Sequence, residues 1–306
     1  MPASITPNKN PNTLYYFAGT PSYTNLKNVI TKGVAASITL EDGYPCLVPV
    51  DFTATKIVYN RVFNKGYNGV AGESNWSTIV LPFDVQTITN KTNNSIIDWF
   101  HSKDDKSKKF WMQQFYGIDG HKVYFDYTDK FAANVPYLIS VPGNKWGTAF
   151  NLVGKKIEFS AKNAAVKAGD MTLDAPNRNF IGCTTGVLAK DANIYILNEE
   201  TGNGNNFDYV AAATSVKPFR AYFTTESRPI SAGTKKVVVL RHGMAEVEGE
   251  SETDGIKLVT GENMKSANIY SINGKIAGRL TSDNIQEALD ALPEGVYIIN
   301  GKKYIK

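Results

Sequence analysis

The chain has 306 residues, of which 42% are hydrophobic and 20% charged, a balance typical of a folded, soluble protein rather than a disordered one. Its net charge of +4 is spread thinly, without the lysine and arginine block of a nucleic-acid-binding surface, so we expect no nucleic-acid partner. Sixteen Tyr, fifteen Phe and four Trp residues favour strands over helices.

The N-terminal sequence, MPASITPNKNPN, has neither the charged start nor the apolar stretch of a signal peptide. We therefore expect that an exported form would be made as a longer precursor, of which this chain is a fragment. Residues 1–11 are predicted to form a disordered tail. No apolar stretch approaches the roughly 20 residues that span a bilayer, so no transmembrane segment is expected.

Short β-rich runs separated by Gly, Asn and Pro follow along the chain as far as residue 243. They are TLYYFA, SITL, CLVPV, TKIVYNRVF, WSTIVLPFDV, HKVYFDYT, VPYLISVP, KKIEFS, NFIGCTT, NIYILNE, PFRAYFTT and KKVVVLRH. Many short strands without a βαβ alternation are typical of all-β folds. We predict a mostly β protein in which 12–243 forms an antiparallel β-sandwich-type module, as one body or as two packed subdomains.

The run TKIVYNRVF, residues 55–63, is the clearest amphipathic strand. Ile57, Tyr59 and Phe63 share one side of it under period-two spacing, and the polar Arg61 interrupts that apolar side.

The stretch 93–117 leaves two alternatives open. Its apolar residues hint at helical spacing at both ends, whereas the all-polar middle, HSKDDKSKK, favours a solvated turn or hairpin tip.

Arg241-His242-Gly243, after an apolar run, looks like the motif that opens the active site of the histidine phosphatases. That chemistry needs a large α/β domain after the motif, with a second histidine and a further arginine, and no histidine follows here. The acidic residues that come next would also repel a phosphate. We therefore interpret the motif as the last strand of the module, running into an acidic linker at 244–255.

No other pattern predicts catalysis, a metal site or a cofactor. His101 and His121 have no carboxylate or cysteine at metal-ligand spacing, and residues 200–208 are a loop more readily than a calcium site. Cys46 and Cys183 can form one disulfide or remain two buried thiols.

Tryptophans are the feature with most binding potential. Exposed rings could form platforms for sugars, whereas buried rings would fill the space between two sheets. The candidate ligand-binding residues are Trp146, Trp99, Trp111 and Trp76, and Trp146, in the Gly-rich PGNKWG, is the one most expected to be exposed.

Residues 256–306 are predicted to form a small C-terminal β domain. It contains an Asn-Gly hairpin signal at 273–274, a helix-like DNIQEALDAL with Asp283 as candidate cap, and a final hairpin turning at 300–301.

The sequences IYSINGK and LPEGVYIINGKKYIK in this domain resemble the C-terminal domains of Bacteroidetes exported proteins of the type IX secretion family. The resemblance implies a sorting domain that is recognised by secretion machinery during passage across the outer membrane. The residues that match the family's pattern are Pro293, Gly295, Tyr297, Lys302, Lys303 and Lys306.

The larger region, 12–243, is similar to modules of Prevotella- and Bacteroides-type surface proteins. The phrases that carry this similarity are WSTIVLPFDV, IDWFHS, KKFWMQQF, VPYLISVPGNKWG and KPFRAYF. It implies a location and an architecture, and no catalytic residues.

We therefore expect a non-catalytic, secreted or outer-membrane surface module of a larger Bacteroidetes envelope protein, with a display, adhesion or spacer role. Its partners would be a glycan or a host or cell-surface protein, besides the secretion machinery. Carbohydrate binding through exposed tryptophans is one alternative. A glycan-degrading enzyme is another, which two carboxylates about 5–10 Å apart in a groove would favour.

Overall fold

The structure is a computed structural model, and it describes residues 6–22, 25–69, 74–99, 110–119, 122–146, 148–169, 172–175, 178–189, 194–199, 202, 204–210, 214–224, 236–241, 267–271, 276–280, 285–293, 295–299 and 302–306. The chain divides into two compact units, Met1–Gly249 and Glu250–Lys306. Each unit is described by itself.

Among its described residues, the regular structure of the first unit consists of strands and one 3₁₀ turn at Thr148–Phe150. The strands are β1 (Tyr15–Phe17), β2 (Val29–Thr31), β3 (Val34–Ala35), β4 (Ile38–Glu41), β5 (Phe52–Val62), β6 (Ser77–Ile79), β7 (Thr87–Asn90), β8 (Ser95–Ile96), β9 (Trp111–Asp119), β10 (Lys122–Tyr127), β11 (Tyr137–Ser140), β12 (Lys156–Val166), β13 (Thr172–Ala175), β14 (Arg178–Cys183), β15 (Val187–Ala189), β16 (Ile194–Leu197), β17 (Asn206–Val210), β18 (Thr214–Val216), β19 (Arg220–Thr224) and β20 (Lys236–Arg241).

An eight-stranded sheet forms one layer of this unit. Its strand order is β1-β2-β3-β5-β12-β7-β8, and β4 also pairs with β5. The long strands β5 and β12 are antiparallel neighbours, with Val62 opposite Lys156 and Phe52 opposite Val166. The predicted amphipathic run at 55–63 therefore lies at the centre of this sheet.

A ten-stranded sheet, in the order β13-β14-β19-β16-β17-β20-β10-β9-β11-β6, forms the rest, beside a small β15–β18 pair. This sheet curls back on itself. Phe115 on β9 contacts Phe180 on β14 and Phe223 on β19, with ring centroids 5.5 and 5.3 Å apart. Thr78 on β6 also accepts a hydrogen bond from the Ala221 amide on β19 at 3.0 Å.

The strand β11 shows why the module has two large cores. All four of its residues are buried. Tyr137 and Ile139 enter a core shared with the eight-stranded sheet, whereas Leu138 points into the aromatic interior of the curled sheet. Because successive side chains of a strand face opposite sides, a continuous apolar run is needed where a sheet is covered on both faces.

The second unit contains four strands and one helix: β21 (Ala267–Ser271), β22 (Ile276–Leu280), α1 (Ile285–Asp290), β23 (Val296–Ile299) and β24 (Lys302–Ile305). The sheet order is β22-β21-β23-β24, with every pair antiparallel. A small core of Ile269, Leu289 and Tyr297 joins the helix to the sheet. The helix confirms the expectation for DNIQEALDAL.

The predicted fold class, mostly β with antiparallel sheets, is confirmed. Four strand pairs are parallel, namely β1–β2, β3–β5, β4–β5 and β10–β20. In the stretch 93–117 the described parts form β8 and β9, so the helical alternative is wrong there, and residues 100–109 lie outside the described part of the chain. No helix among the described residues is long and apolar enough to cross a membrane.

The first described residues belong to the stretch predicted as a disordered tail. The Asn8 amide donates to the Tyr15 hydroxyl at 2.7 Å, and the Asn10 side chain donates to the Pro45 carbonyl at 2.7 Å. These two residues are thus held against the module.

Candidate functional site

A group of two buried arginines and two partly buried carboxylates lies where the ends of β4, β5, β16 and β19 meet. Asp42 follows β4 in the turn Glu41-Asp42-Gly43, and its backbone amide donates to the Asn60 carbonyl of β5 at 2.9 Å. This bond holds Asp42 beside the end of β5, where Arg61 lies.

Arg220, the first residue of β19, is the centre of the group and is 7% exposed. Its Nη1 and Nη2 donate to the two oxygens of Asp42 at 2.8 and 3.0 Å. Its Nε donates to Glu199 Oε1 at 3.1 Å. A planar guanidinium group has enough donors in fixed directions to bond two carboxylates at once. Arg220 therefore holds one carboxylate from each of two segments.

Arg61 is the second buried cation and is 5% exposed. Its Nη1 donates to the Thr78 carbonyl at 3.0 Å, its Nη2 donates to the Ser77 hydroxyl, and its guanidinium carbon lies 4.6 Å from the centre of the Phe63 ring. Arg61 also lies 3.7 Å from both Asp42 and Glu199. The group therefore links the eight-stranded sheet to β6 of the ten-stranded sheet.

Both carboxylates of the group are held in the ionised form. Burial alone would raise the pKa of Asp42, but the charge of Arg61 and the hydrogen bonds and charge of Arg220 outweigh burial and hold that pKa well below its usual range. The pKa of Glu199 is also lowered, because Arg220, Arg61 and the Ser77 hydroxyl outweigh the effect of burial.

A cleft of about 500 Å³ opens onto this group. Its walls carry two further lysines, two asparagines and a glycine besides the buried charges. The lining residues are Asp42, Gly43, Arg61, Val62, Phe63, Asn64, Lys65, Asn75, Trp76, Ser77, Glu199, Lys217 and Arg220.

The cleft contains the paired carboxylates that a glycan-degrading enzyme would need. Asp42 and Glu199 bond nitrogen atoms of one guanidinium group, so they lie within a few ångströms of each other. A glycosidase also needs one of the two to be a protonated acid at working pH, with a raised pKa. Here both pKa values are lowered, so neither side chain is suited to donate a proton to a leaving group.

One direct sign of this site is present in the sequence. Arg61 interrupts the apolar side of an otherwise regular strand, and the structure shows why, because Arg61 is buried among charges rather than exposed. Asp42 lies between two of the predicted β-rich runs, and the sequence predicts Glu199 and Arg220 only as members of strands. A charged residue inside a short apolar run, as in PFRAYF, is the signal that could have revealed Arg220.

The four candidate tryptophans have different surroundings. Trp146 is 39% exposed, and its ring packs against Tyr67 and Trp111 with centroid distances of 5.2 and 5.4 Å. Trp111 itself is buried, so it supports Trp146 from beneath rather than offering a face to a ligand.

The other two tryptophans do not extend this cluster into a platform. Trp76 is fully buried in the aromatic core of the curled sheet. Trp99 is half-buried against the other core, and its indole nitrogen donates to the Thr128 carbonyl at 3.0 Å. The single exposed ring among the four is therefore Trp146.

The residues that resemble a sorting motif come together in the second unit. The Tyr297 hydroxyl donates to the Pro293 carbonyl at 2.7 Å, and Gly295 and Lys306 exchange two backbone hydrogen bonds of 3.2 and 3.0 Å. The Lys306 ammonium group donates to the Asp290 carbonyl at 2.7 Å, where α1 ends. A cation that bonds the last carbonyls of a helix stabilises its C-terminus.

Lys302 and Lys303, the remaining residues of that pattern, lie on β24. This strand is at the edge of the four-stranded sheet, with Lys303 opposite Ile298.

Both cysteines are reduced and buried, which decides between the two alternatives left open by the sequence. The Cys46 amide donates to the Thr184 carbonyl at 3.0 Å, and the Thr184 hydroxyl donates to the Cys46 carbonyl at 2.8 Å. Burial raises the pKa of the Cys46 thiol to about 12, so this thiol is neutral and unreactive at ordinary pH.

The histidine-phosphatase-like motif is seen only in part. Arg241 ends β20, which confirms the predicted strand before the motif. His242, Gly243, the predicted linker 244–255, His101 and His121 lie outside the described residues. Within the described part of the chain, no group of three or more His, Cys, Asp or Glu side chains could hold a metal ion.

We compared the chain with protein-family models, with curated proteins and with solved structures, and none of these three comparisons found a match.

Proposed function

We propose that the chain is a non-catalytic module of a secreted or cell-surface protein, with a role in display or adhesion. The observation that carries this proposal is the state of Asp42 and Glu199. They are the two carboxylates of the cleft, and both are committed to ion pairs with Arg220. A catalytic pair would instead keep one carboxyl protonated.

A turnover assay tests the non-catalytic assignment. We expect no new reducing ends when the chain is incubated with soluble and insoluble polysaccharides. Slow hydrolysis by a contaminating enzyme would be unchanged in Glu199→Gln. Hydrolysis that disappears in Glu199→Gln, while a folded protein is retained, would overturn the proposal.

Carbohydrate binding is a second candidate function, and the exposed ring of Trp146 favours it. Trp146 is fixed from two sides by Tyr67 and Trp111, so a sugar could stack on it with little loss of side-chain entropy. Trp146 is the one exposed ring among the four candidate tryptophans, so we expect weak binding that depends strongly on that residue.

A glycan array and a pull-down with insoluble polysaccharides test this second function. Trp146→Ala is expected to abolish retention, whereas Tyr116→Ala, which removes another exposed aromatic ring on β9, is the matched control and is expected to retain it. Equal retention by all three proteins would exclude Trp146 as the binding residue.

The proposed location rests on the second unit. The resemblance of its last residues to type IX sorting domains supports export from a Bacteroidetes cell, and the contacts of Tyr297 and Lys306 provide that segment with a defined fold. Fractionation of host cells that express the precursor tests this location. Recovery from the surface or the medium supports it, and recovery only from the cytosol contradicts it.

A further inference from the structure

The cleft beside the buried charges has an excess of positive charge. Its lining contains four cationic side chains, Arg61, Lys65, Lys217 and Arg220, and two carboxylates. The two carboxylates balance two of these four positive charges, and Arg220 bonds both of them. The remaining cations therefore set the sign of the potential that a ligand in the cleft would experience.

Lys65 is held at a fixed place on this lining. Its ammonium group donates to the backbone carbonyls of Glu199 and Gly202 at 3.1 and 3.0 Å. A lysine anchored in this way loses little side-chain entropy when an anion binds beside it. Lys217 is exposed and lies three residues before Arg220 in the chain.

Arg61, one of the two buried arginines of the lining, has a hydrogen-bond donor without an acceptor. The Arg61 Nε–H group donates to no acceptor among the described residues, and Asp42 Oδ2 lies 3.7 Å from Nε. A buried N–H without an acceptor is costly and uncommon in folded proteins. Because Nε itself is buried, Arg61 acts on a ligand in the cleft through its charge rather than through this donor.

The same loop joins the cleft to the exposed aromatic ring. Lys65 lies two residues before Tyr67, and Tyr67 packs on Trp146. The lining also offers the polar side chains of Asn64 and Ser77. Cations, polar side chains and a nearby aromatic face together match a sugar that carries anionic groups, because its charge, hydroxyls and ring face would each find a partner.

We propose that the cleft binds an acidic polysaccharide through its carboxylate or sulfate groups, with Lys217, Lys65 and Arg61 as the recognising cations. This inference rests on carbohydrate binding, the second of the two functions proposed above, and it specifies the class of ligand.

The test is affinity electrophoresis or calorimetry of the full chain with three soluble polymers. Polygalacturonate carries carboxylates, dextran sulfate carries sulfates, and dextran is uncharged. We expect at least one acidic polymer to bind and dextran to bind much more weakly, with affinity falling as salt is raised. The better of the two acidic polymers then identifies the anionic group.

Two charge-reversal variants distinguish binding in the cleft from general attraction to the positive charge of the protein. Lys217→Glu is expected to weaken binding by about tenfold or more, since it places a negative charge beside the bound anion. Lys56→Glu makes the same change at an exposed position of β5 outside the cleft, and it is expected to leave the affinity unchanged. Both variants should keep the unfolding midpoint of the wild type.

Three results would overturn the inference. Equal losses in Lys217→Glu and Lys56→Glu would mean that binding follows net charge alone. Binding of dextran or another uncharged glycan, lost only in Trp146→Ala, would leave carbohydrate binding standing without an anionic ligand. Binding of polyglutamate and of none of the polysaccharides would indicate an acidic polypeptide and would refute both carbohydrate proposals.

Discussion

Arg220 joins two segments that are far apart in the sequence. Its partner Asp42 lies 178 positions away, and its other partner, Glu199, lies 21 positions away. A buried pair gains Coulomb energy but loses hydration, so its net contribution is small, whereas removal of one partner leaves a charge without compensation. Removal of one partner is therefore expected to lower the free energy of unfolding by more than the intact ion pair contributes to it.

We expect Arg220→Met to lower the free energy of unfolding by about 3 kcal/mol, since the partly buried Asp42 and Glu199 would lose their common cation. Urea denaturation at pH 7 measures this change. The matched control is Lys167→Met, which removes an ion pair of 2.9 Å to Asp51 on the exposed surface, and the urea midpoint is expected to stay the same. An equal change of the urea midpoint in both variants would show that the buried charges contribute no more stability than an exposed ion pair.

The same residues predict how stability depends on pH. Folding lowers the pKa of both Asp42 and Glu199, so the folded state binds fewer protons than the unfolded state near and below the ordinary carboxyl pKa of about 4. The stabilisation is therefore complete above about pH 5 and is lost as the pH falls towards the lowered values.

Urea midpoints between pH 7 and pH 3 measure this dependence. The double variant Asp42→Asn/Glu199→Gln is expected to be less stable than the wild type at pH 7 and to lose less stability on acidification. The same pH slope in both proteins would contradict the assignment of the shifts to this group.

At this scale the sequence revealed only one of the four charged residues of the site. Arg61 could be singled out because a strand's period-two pattern marks a polar residue on an apolar side. Its partners could not, because Asp42 fits a turn equally well and the pairing of residues 42 and 220 depends on strand order, which local patterns do not encode. The exposed state of Trp146 followed from its Gly-rich neighbours, whereas the burial of Trp76 follows from the curl of the sheet.

The loop between β16 and β17 positions Glu199 and depends on one glycine. Gly204 has a positive φ of 65°, and an added Cβ would overlap the backbone of Trp76. Backbone atoms cannot move aside as the end of a flexible side chain can. The loop would have to shift, and with it the carbonyls of Glu199 and Gly202 that hold Lys65.

We expect Gly204→Ala to destabilise the module by about 2 kcal/mol or more, through the combined cost of overlap and a left-handed backbone. Thermal unfolding measures this loss. Gly117→Ala on β9 is the control, since an added Cβ there meets nothing within 4 Å. Similar midpoints for the two variants would contradict a tight approach at Gly204.

Strands with a strong alternation of apolar and polar residues were predictable from the sequence, whereas the strands that pair with them were not. The runs at 55–63 and 155–160 correspond to β5 and β12, because both combine β-branched or aromatic residues with alternation. The parallel pairing of β4 with β5 and of β10 with β20 was not predicted. Pairing between strands depends on packing across the whole sheet, which no single run of sequence reports.

At the scale of the whole chain, the boundary between the two compact units falls between Gly249 and Glu250. This position lies inside 244–255, which the acidic and small residues of the sequence predict to be a linker. We expect limited proteolysis to cut within 244–255 first and to leave a stable fragment that contains the cleft. Mass spectrometry of the early fragments identifies the cut, and first cleavage elsewhere would contradict the linker.

We propose that the two carboxylates of the cleft are structural anions rather than a catalytic pair. An NMR titration of the side-chain carboxyl carbons tests this proposal, with Asp42→Asn and Glu199→Gln to assign the two signals. We expect both carboxyls to remain ionised at pH 5 and to titrate below their ordinary range. A carboxyl at either position that titrates near pH 6 would contradict it, since such a group would be the proton donor that a glycan-degrading enzyme requires.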